Sequence, residues 1–213
     1  MWERVTFRIF GICRRDARSK VGDYVRLARD VNSQSLNYQQ TMQRMERIGS
    51  GKYAIKNALG FLTNANCYEG WEEELRYFLF RYEEHLAEEQ GIQLSDSGWE
   101  EVWSNSAAQS IEHILPQNRG VEEPEDGKVF VHRLGNLTLL PPTVNSQLGD
   151  MSPALKSQKY RDQALLVTKK VANLCMAEPG GNQPPAEVWD TWTEADITSR
   201  ESELLEFAEL TWG

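Results

Sequence analysis

The sequence is short of histidine, cysteine and positive charge, and each shortage narrows what the chain can be. Only three histidines occur, at 85, 113 and 132, so any histidine chemistry rests on one of them. The three cysteines, Cys13, Cys67 and Cys175, lie far apart, leave an odd count and form no Cys-x-x-Cys pair. That excludes a disulfide framework and a zinc-ribbon clamp, and points to a reduced, cytoplasmic protein. No run approaches the ~18 consecutive apolar residues of a membrane span. Arg4, Arg8, Arg14 and Arg15 interrupt the N-terminal apolar residues, so no signal-peptide core is present. Neither a Gly-rich phosphate loop nor an internal repeat is visible.

Positive charge is scarce overall, with 23 Lys/Arg against 32 Asp/Glu for a net of −9. Such a balance opposes a polyanionic ligand. Its distribution is uneven: residues 1–50 carry ten Lys/Arg against five Asp/Glu, whereas residues 51–100 carry four against ten. At 213 residues and 40% apolar content the chain can bury one large core or two small ones.

What is present reads as an α+β protein, predominantly helical. Apolar spacing predicts helices over 14–31, 38–48 and 52–62, then a long helix with the stripe Trp71, Leu75, Phe78, Leu79, Tyr82 and Leu86. Gly91 suits its C-cap. The aromatic stripe is core material, and His85 is expected to be a solvated side chain of that helix. The polar stretch 93–98 marks a boundary between a helical subdomain, 1–97, and a second domain, 98–213. Two strands are predicted, 110–115 and 136–140, with a helix from Thr143 onward. The acidic Glu122–Gly127 segment between the strands should be a solvated loop, and Pro179–Pro185 a linker to a last helix starting near Thr193.

The first strand ends in Ile111-Glu112-His113-Ile114-Leu115-Pro116-Gln117, and the second grows out of Leu134-Gly135-Asn136-Leu137-Thr138-Leu139-Leu140. An ionisable pair where a short strand should simply turn suggests chemistry. Hydrolysing a phosphodiester takes an activated water, a cation beside phosphorus and stabilisation of the leaving oxygen. A neutral histidine is a competent base for the water, and a hard cation such as Mg²⁺ is content with one carboxylate, one amide carbonyl and waters. His113 is the candidate base, Glu112 and Asn145 the candidate ligands, and Asn136 the candidate group orienting His113. Because alternate strand residues face opposite sides, Glu112 and His113 would need a twist or bulge to act together. Plainer roles stand beside these: a turn residue for Asn136, a helix cap for Asn145, ligation through water for Glu112, and a surface or phosphate contact for His132.

This order of motifs resembles the ββα-metal (HNH) nucleases, including the HNH domain of RNA-guided CRISPR effectors. It is most similar to the C-terminal domain of GmrSD-type restriction endonucleases, among them SspE-like phage-defence proteins. The matching residues are Glu112 to Pro116, Leu134 to Leu140, Asn145, Lys156 with Tyr160, and a helix bounded by Trp192 and Trp212. The resemblance implies His113 as general base, Asn136 as positioning residue, Glu112 and Asn145 as ligands of Mg²⁺ or Mn²⁺, and DNA as substrate. It departs in Glu112, where the wider superfamily more often has Asp. Lys156, Lys159, Arg161, Lys169 and Lys170 fall on one predicted helix, of which Lys156, Lys159 and Arg161 are the expected phosphate contacts alongside the N-terminal arginines. Relatives of this kind carry an N-terminal nucleotide-hydrolysing sensor domain, so the chain is expected to be a C-terminal piece or a subunit with a separate partner. A nuclease for RNA and a non-cleaving nucleic-acid-binding module are the alternatives.

Overall fold

The computed structural model describes residues 1–94, 110–118, 130–175 and 192–213. The expected 97/98 boundary, the Glu122–Gly127 loop and the Pro179–Pro185 linker lie outside the described residues. The chain forms two compact units, residues 1–63 with 205–213, and residues 64–204. Helices dominate both, with one two-stranded sheet among the described residues.

The first unit holds α1 (Trp2–Thr6), running into a π-helical segment Phe7–Ile12, then α2 (Val21–Asn32), α3 (Tyr38–Ile48) and α4 (Ile55–Leu59). The helix expected from Arg14 starts only at Val21. Arg14 and Lys20 both adopt left-handed backbone angles, φ 48° and 64°, which no α-helix accommodates. Helix α3 keeps the predicted 38–48 bounds and starts at a capping box: Asn37 accepts from the Gln40 backbone, and the Gln40 side chain accepts from the Asn37 backbone. The predicted 52–62 helix is broken into a 3₁₀ turn, Gly51–Tyr53, and the short α4. Val5, Ile9, Leu27 and Met45 are buried in this unit, and Phe7 packs on Trp212 at 4.6 Å between ring centroids. Arg8 is spent internally, donating to the carbonyls of Trp212 at 2.9 Å and Gly49 at 3.3 Å.

The second unit contains α5 (Glu72–Glu89), β1 (Ser110–His113), β2 (Leu137–Leu140), α6 (Pro142–Leu148), α7 (Pro153–Tyr160), α8 (Leu166–Leu174) and α9 (Glu194–Trp212) as far as Leu204. Helix α5 buries its aromatic stripe as its periodicity predicts, and Gly91, at φ 69°, follows its C-cap. Strands β1 and β2 pair antiparallel, Ser110 opposite Leu140 and His113 opposite Leu137. Ile114, Leu140, Leu148, Tyr160, Val171, Trp192 and Ile197 close the core around the sheet. The basic helix expected over 156–170 is instead two helices. Gln163 donates to the Lys159 carbonyl at 2.8 Å near the end of α7, and the Glu83 carboxylate receives the Leu166 and Val167 amides, at 2.9 and 2.8 Å, at the start of α8. A buried carboxylate on two N-terminal amides of a helix satisfies donors that would otherwise be orphaned.

Gly135 precedes β2 because nothing larger fits. A Cβ there would lie 1.9 Å from the Ile197 carbonyl oxygen and 3.0 Å from the Glu201 nitrogen, both backbone atoms of α9. Backbone cannot rotate aside as a side chain can, so Gly135→Ala should cost about 1–3 kcal/mol or more. At roughly 2–4 °C per kcal/mol for a chain of this size, thermal melting should show a drop of several degrees. An unchanged midpoint would mean that α9 does not press on this turn.

Candidate active site

Asn136 sits in the 3₁₀ turn Leu134–Asn136 with no solvent exposure, 0%. Its Oδ1 accepts from the Leu115 backbone at 2.8 Å and from Trp192 Nε1 at 3.0 Å. Its Nδ2 donates to the carbonyls of Leu115 at 3.0 Å and Val131 at 2.8 Å. Both acceptor positions and both donors of the amide are therefore used. Its backbone carbonyl also accepts from Ile114 at 3.0 Å. Asn136 thus grips the two residues that follow His113 and makes no bond to the imidazole. The turn is held from α9 as well, by Arg200 Nη1 donating to the carbonyls of Gly135 and Leu137, both at 2.8 Å.

The strand pairing is one-to-one over 110–113, without the bulge expected at its end. Glu112 and His113 accordingly find separate partners while lining one cavity. The buried Glu112 carboxylate receives Lys156 Nζ at 2.7 Å and the Tyr160 hydroxyl at 2.8 Å, both on Oε1. Lys156 also donates to the His113 carbonyl at 2.8 Å. Burial raises the Glu112 carboxyl above its ordinary range, while the Lys156 ammonium and the Tyr160 hydroxyl pull it back. Tyr160 is itself raised well above its usual value, by burial first and by Glu112 second.

His113 is held by other groups. Its Nε2 lies 3.0 Å from His132 Nδ1, and its Nδ1 lies 3.2 Å from Gln117 Nε2. Tyr68 meets the His113 ring edge-on at 4.6 Å and stacks on His132 at 5.4 Å. With the Gln117 amide donating to Nδ1, the proton of neutral His113 rests on Nε2 and is donated to His132. Burial, then the nearby His132 and Lys156, push the His113 pKa down to about 3, so the ring is neutral at ordinary pH. His132 is lowered too, by burial, with Glu69 opposing.

Helix α6 brings Asn145 to the same place. Its Nδ2 donates to Ser110 Oγ and to the Ile111 carbonyl, both at 3.1 Å, which engages both amide hydrogens and leaves Oδ1 for a further partner. The amide belongs to the middle of α6 (Pro142–Leu148), so it is no helix cap. A cavity of about 470 Å³ is lined by Glu112, His113, Asn145, Gln117, Tyr68 and Asp150 among others. Its donors suit a hard cation: the Glu112 carboxylate, the Asn145 carbonyl oxygen and Asp150 at the edge. Among the described residues no group of three or more His, Cys, Asp or Glu forms a metal cage.

Lys156 does not lie where its charge predicts. It was expected to reach phosphate, but it is 1% exposed and bonded to Glu112. The signal was present: Pro153, Lys156, Ser157 and Tyr160, spaced i, i+3, i+4, i+7, make the buried face of α7. Lys159 and Arg161 are exposed. Lys170 pairs with Glu203 and Tyr82. His132, Tyr68 and Gln117 were not foreseen as a cage around His113, since no spacing rule links positions 68, 113 and 132.

The family model for the GmrSD restriction endonucleases, C-terminal domain, matches residues 54–207, and the chain belongs to this family. No curated protein and no solved structure matches it.

The buried ion pair generates a stability prediction. Lys156→Met strands the Glu112 charge and should cost about 3–5 kcal/mol, whereas adding Glu112→Gln should recover much of it, because removing both charges avoids the uncompensated one. Chemical denaturation of the two single variants and the double variant checks this. A Lys156→Met protein as stable as wild type would show that the pair is uncoupled.

Proposed function

Starting from membership of this family, we propose that the chain is a metal-dependent endonuclease of the HNH (ββα-metal) type, cutting or nicking DNA as the effector of a restriction or phage-defence system. The observation that carries this reading is the cavity shared by Glu112, His113 and Asn145, which come from the end of one strand and from the helix after its antiparallel partner. In the family, the partner is the N-terminal domain, which we take to be a nucleotide-hydrolysing sensor. The helices among the described residues include none long and apolar enough to cross a membrane, and we place the protein in the cytoplasm.

His113 takes the proton of the attacking water. The lone pair that does so is on Nδ1, now facing the exposed side chain of Gln117, which a water in the cavity can displace. His132 keeps the proton of His113 on Nε2 and so leaves Nδ1 basic. A base held near pKa 3 is weak in isolation. An entering phosphodiester brings negative charge and favours the imidazolium, which moves the group toward the working range. Glu112 Oε2 and Asn145 Oδ1 would hold Mg²⁺ or Mn²⁺, with Lys156 and Tyr160 fixing the other carboxylate oxygen. The cation, when bound, neutralises charge on the phosphate and the leaving oxygen. Lys156 beside Glu112 limits the charge available to the cation, which is consistent with a metal recruited together with substrate. Asn136 acts as a positioning residue through the Leu115 backbone. Lys159 and Arg161 remain proposed backbone contacts on the exposed side of α7.

Plasmid nicking should require Mg²⁺ or Mn²⁺ and should fall by ~10²–10⁴-fold in His113→Ala, the usual cost of losing a general base. In the same assay His132→Phe should lose rate while keeping the stack on Tyr68. His132→Asn, which retains an acceptor in place of Nδ1, should keep more of it. Full activity in excess EDTA, or an unimpaired His113→Ala, would refute the mechanism; equal loss in both His132 variants would reduce His132 to packing.

A further inference from the structure

The two units carry opposite charge. Residues 64–204 hold eleven Lys/Arg against twenty-five Asp/Glu, a net of −14, whereas residues 1–63 with 205–213 hold twelve against seven, a net of +5. The unit with the candidate active site therefore repels a polyanion, and Lys156, one of its few cations, is consumed by Glu112. An enzyme acting on a polyanion needs its attraction from somewhere else.

The first unit supplies a shaped place for it. Lys20, Asp23 and Arg26, at and beyond the start of α2, and Arg44, Arg47 and Ile48, at the end of α3, line a pocket of about 130 Å³. The spacings 20/23/26 and 44/47/48 put each set on one helix face. Four cations face a single lining carboxylate. Asp23 is shared by Arg26 at 2.7 Å and Lys20 at 3.3 Å, and Arg44 reaches out to Asp30 at 3.4 Å. Arg47 makes no ion pair among the described residues. Arg26 can fold over the start of its helix because residue 22 is glycine; a Cβ there would lie 3.2 Å from the guanidinium Nη1. The volume exceeds the ~10–15 Å³ that one water occupies by several-fold, which is room for a tetrahedral oxyanion. Arg26 and Arg44 keep 55% and 42% of their side-chain surface, so their donors are accessible from solvent.

We propose that this pocket, lined by Lys20, Arg26, Arg44 and Arg47, binds a phosphate of the DNA backbone and supplies the electrostatic attraction that the acidic unit lacks. The pocket lies before residue 54, outside the stretch that matches the family. The choice of DNA as partner rests on the nuclease reading above. Planar guanidinium groups converging from two helices suit the oxygens of a phosphodiester. Such contacts position the backbone without reading its sequence.

The test is anisotropy with labelled duplex DNA of two unrelated sequences, over a series of salt concentrations. The full chain is used in EDTA, so that binding is read apart from cleavage. Arg44→Ala/Arg47→Ala should weaken both duplexes alike and flatten the log–log salt slope by about two, one unit per contact. Arg44→Lys/Arg47→Lys should keep most of the slope. Arg47→Ala alone removes no internal ion pair and guards against a folding artefact; it should lower the slope by about one. Slopes unchanged in both Ala variants overturn the proposal. Binding of inorganic phosphate at the pocket, with no effect of either variant on duplex affinity, assigns the site to a free phosphate and also overturns it. Plasmid cleavage by wild type is scored separately. Cleavage with unaltered slopes sinks this inference alone, and altered slopes without cleavage sink the nuclease reading alone.

Discussion

The side-chain amide of Asn136 ties together the chain after β1, the stretch at Val131 and the indole of Trp192, segments separated by up to 77 positions in sequence. It does so at zero exposure with every donor and acceptor used. A buried amide satisfied in this way has one acceptable arrangement, because each bond left unmade costs about 1–3 kcal/mol. Its grip on Leu115 fixes where β1 stops, and His113 is the last residue of that strand. Gly135 beside it lets α9 approach, and Arg200 from α9 closes on the carbonyls of Gly135 and Leu137. The site is thus placed by a polar turn clamped between sheet and last helix.

Within that frame the acidic and the basic members of the site are kept apart. Glu112 turns to Lys156 and Tyr160 of α7, and His113 turns to His132, Tyr68 and Gln117. Burying Glu112 and Lys156 is expensive unless each is well bonded, and each is. One carboxylate oxygen, Oε1, takes both the Lys156 and the Tyr160 bonds. The imidazole is held neutral by its burial first and by the nearby His132 and Lys156 second. These are two different electrostatic environments on adjacent residues, which a regular strand provides simply by alternating its faces.

Much of this was legible in the sequence, and the boundary of legibility is physical. Helix α3 and the aromatic face of α5 follow from apolar periodicity, which is local. Asn136 and Asn145 stand out through their spacing from the Glu112-His113 pair in the nuclease-like motif, beside plainer readings as a turn residue and a helix cap. The charge of Lys156 suggests phosphate, but its place on the buried face of α7 gives it to Glu112 instead. His132 and Tyr68 were out of reach, since stacking around His113 joins positions 68, 113 and 132 through tertiary structure alone. The break between α7 and α8 was equally hidden: it depends on Glu83, from α5, capping a helix that starts 83 residues later. Charge counts by segment did foreshadow the contrast between a basic and an acidic unit, though not which arginines line a pocket.

The central claim is that Glu112 and Asn145 share a cation beside the base His113. Crystals of the His113→Ala protein soaked in Mn²⁺ with a short duplex, with data collected at a wavelength giving manganese anomalous signal, test it directly. The account predicts one peak at about 2.0–2.3 Å from a Glu112 oxygen and from Asn145 Oδ1, the range of hard-cation oxygen contacts. A peak elsewhere, or no peak in the cavity with Lys156 still bonded to Glu112, would contradict it.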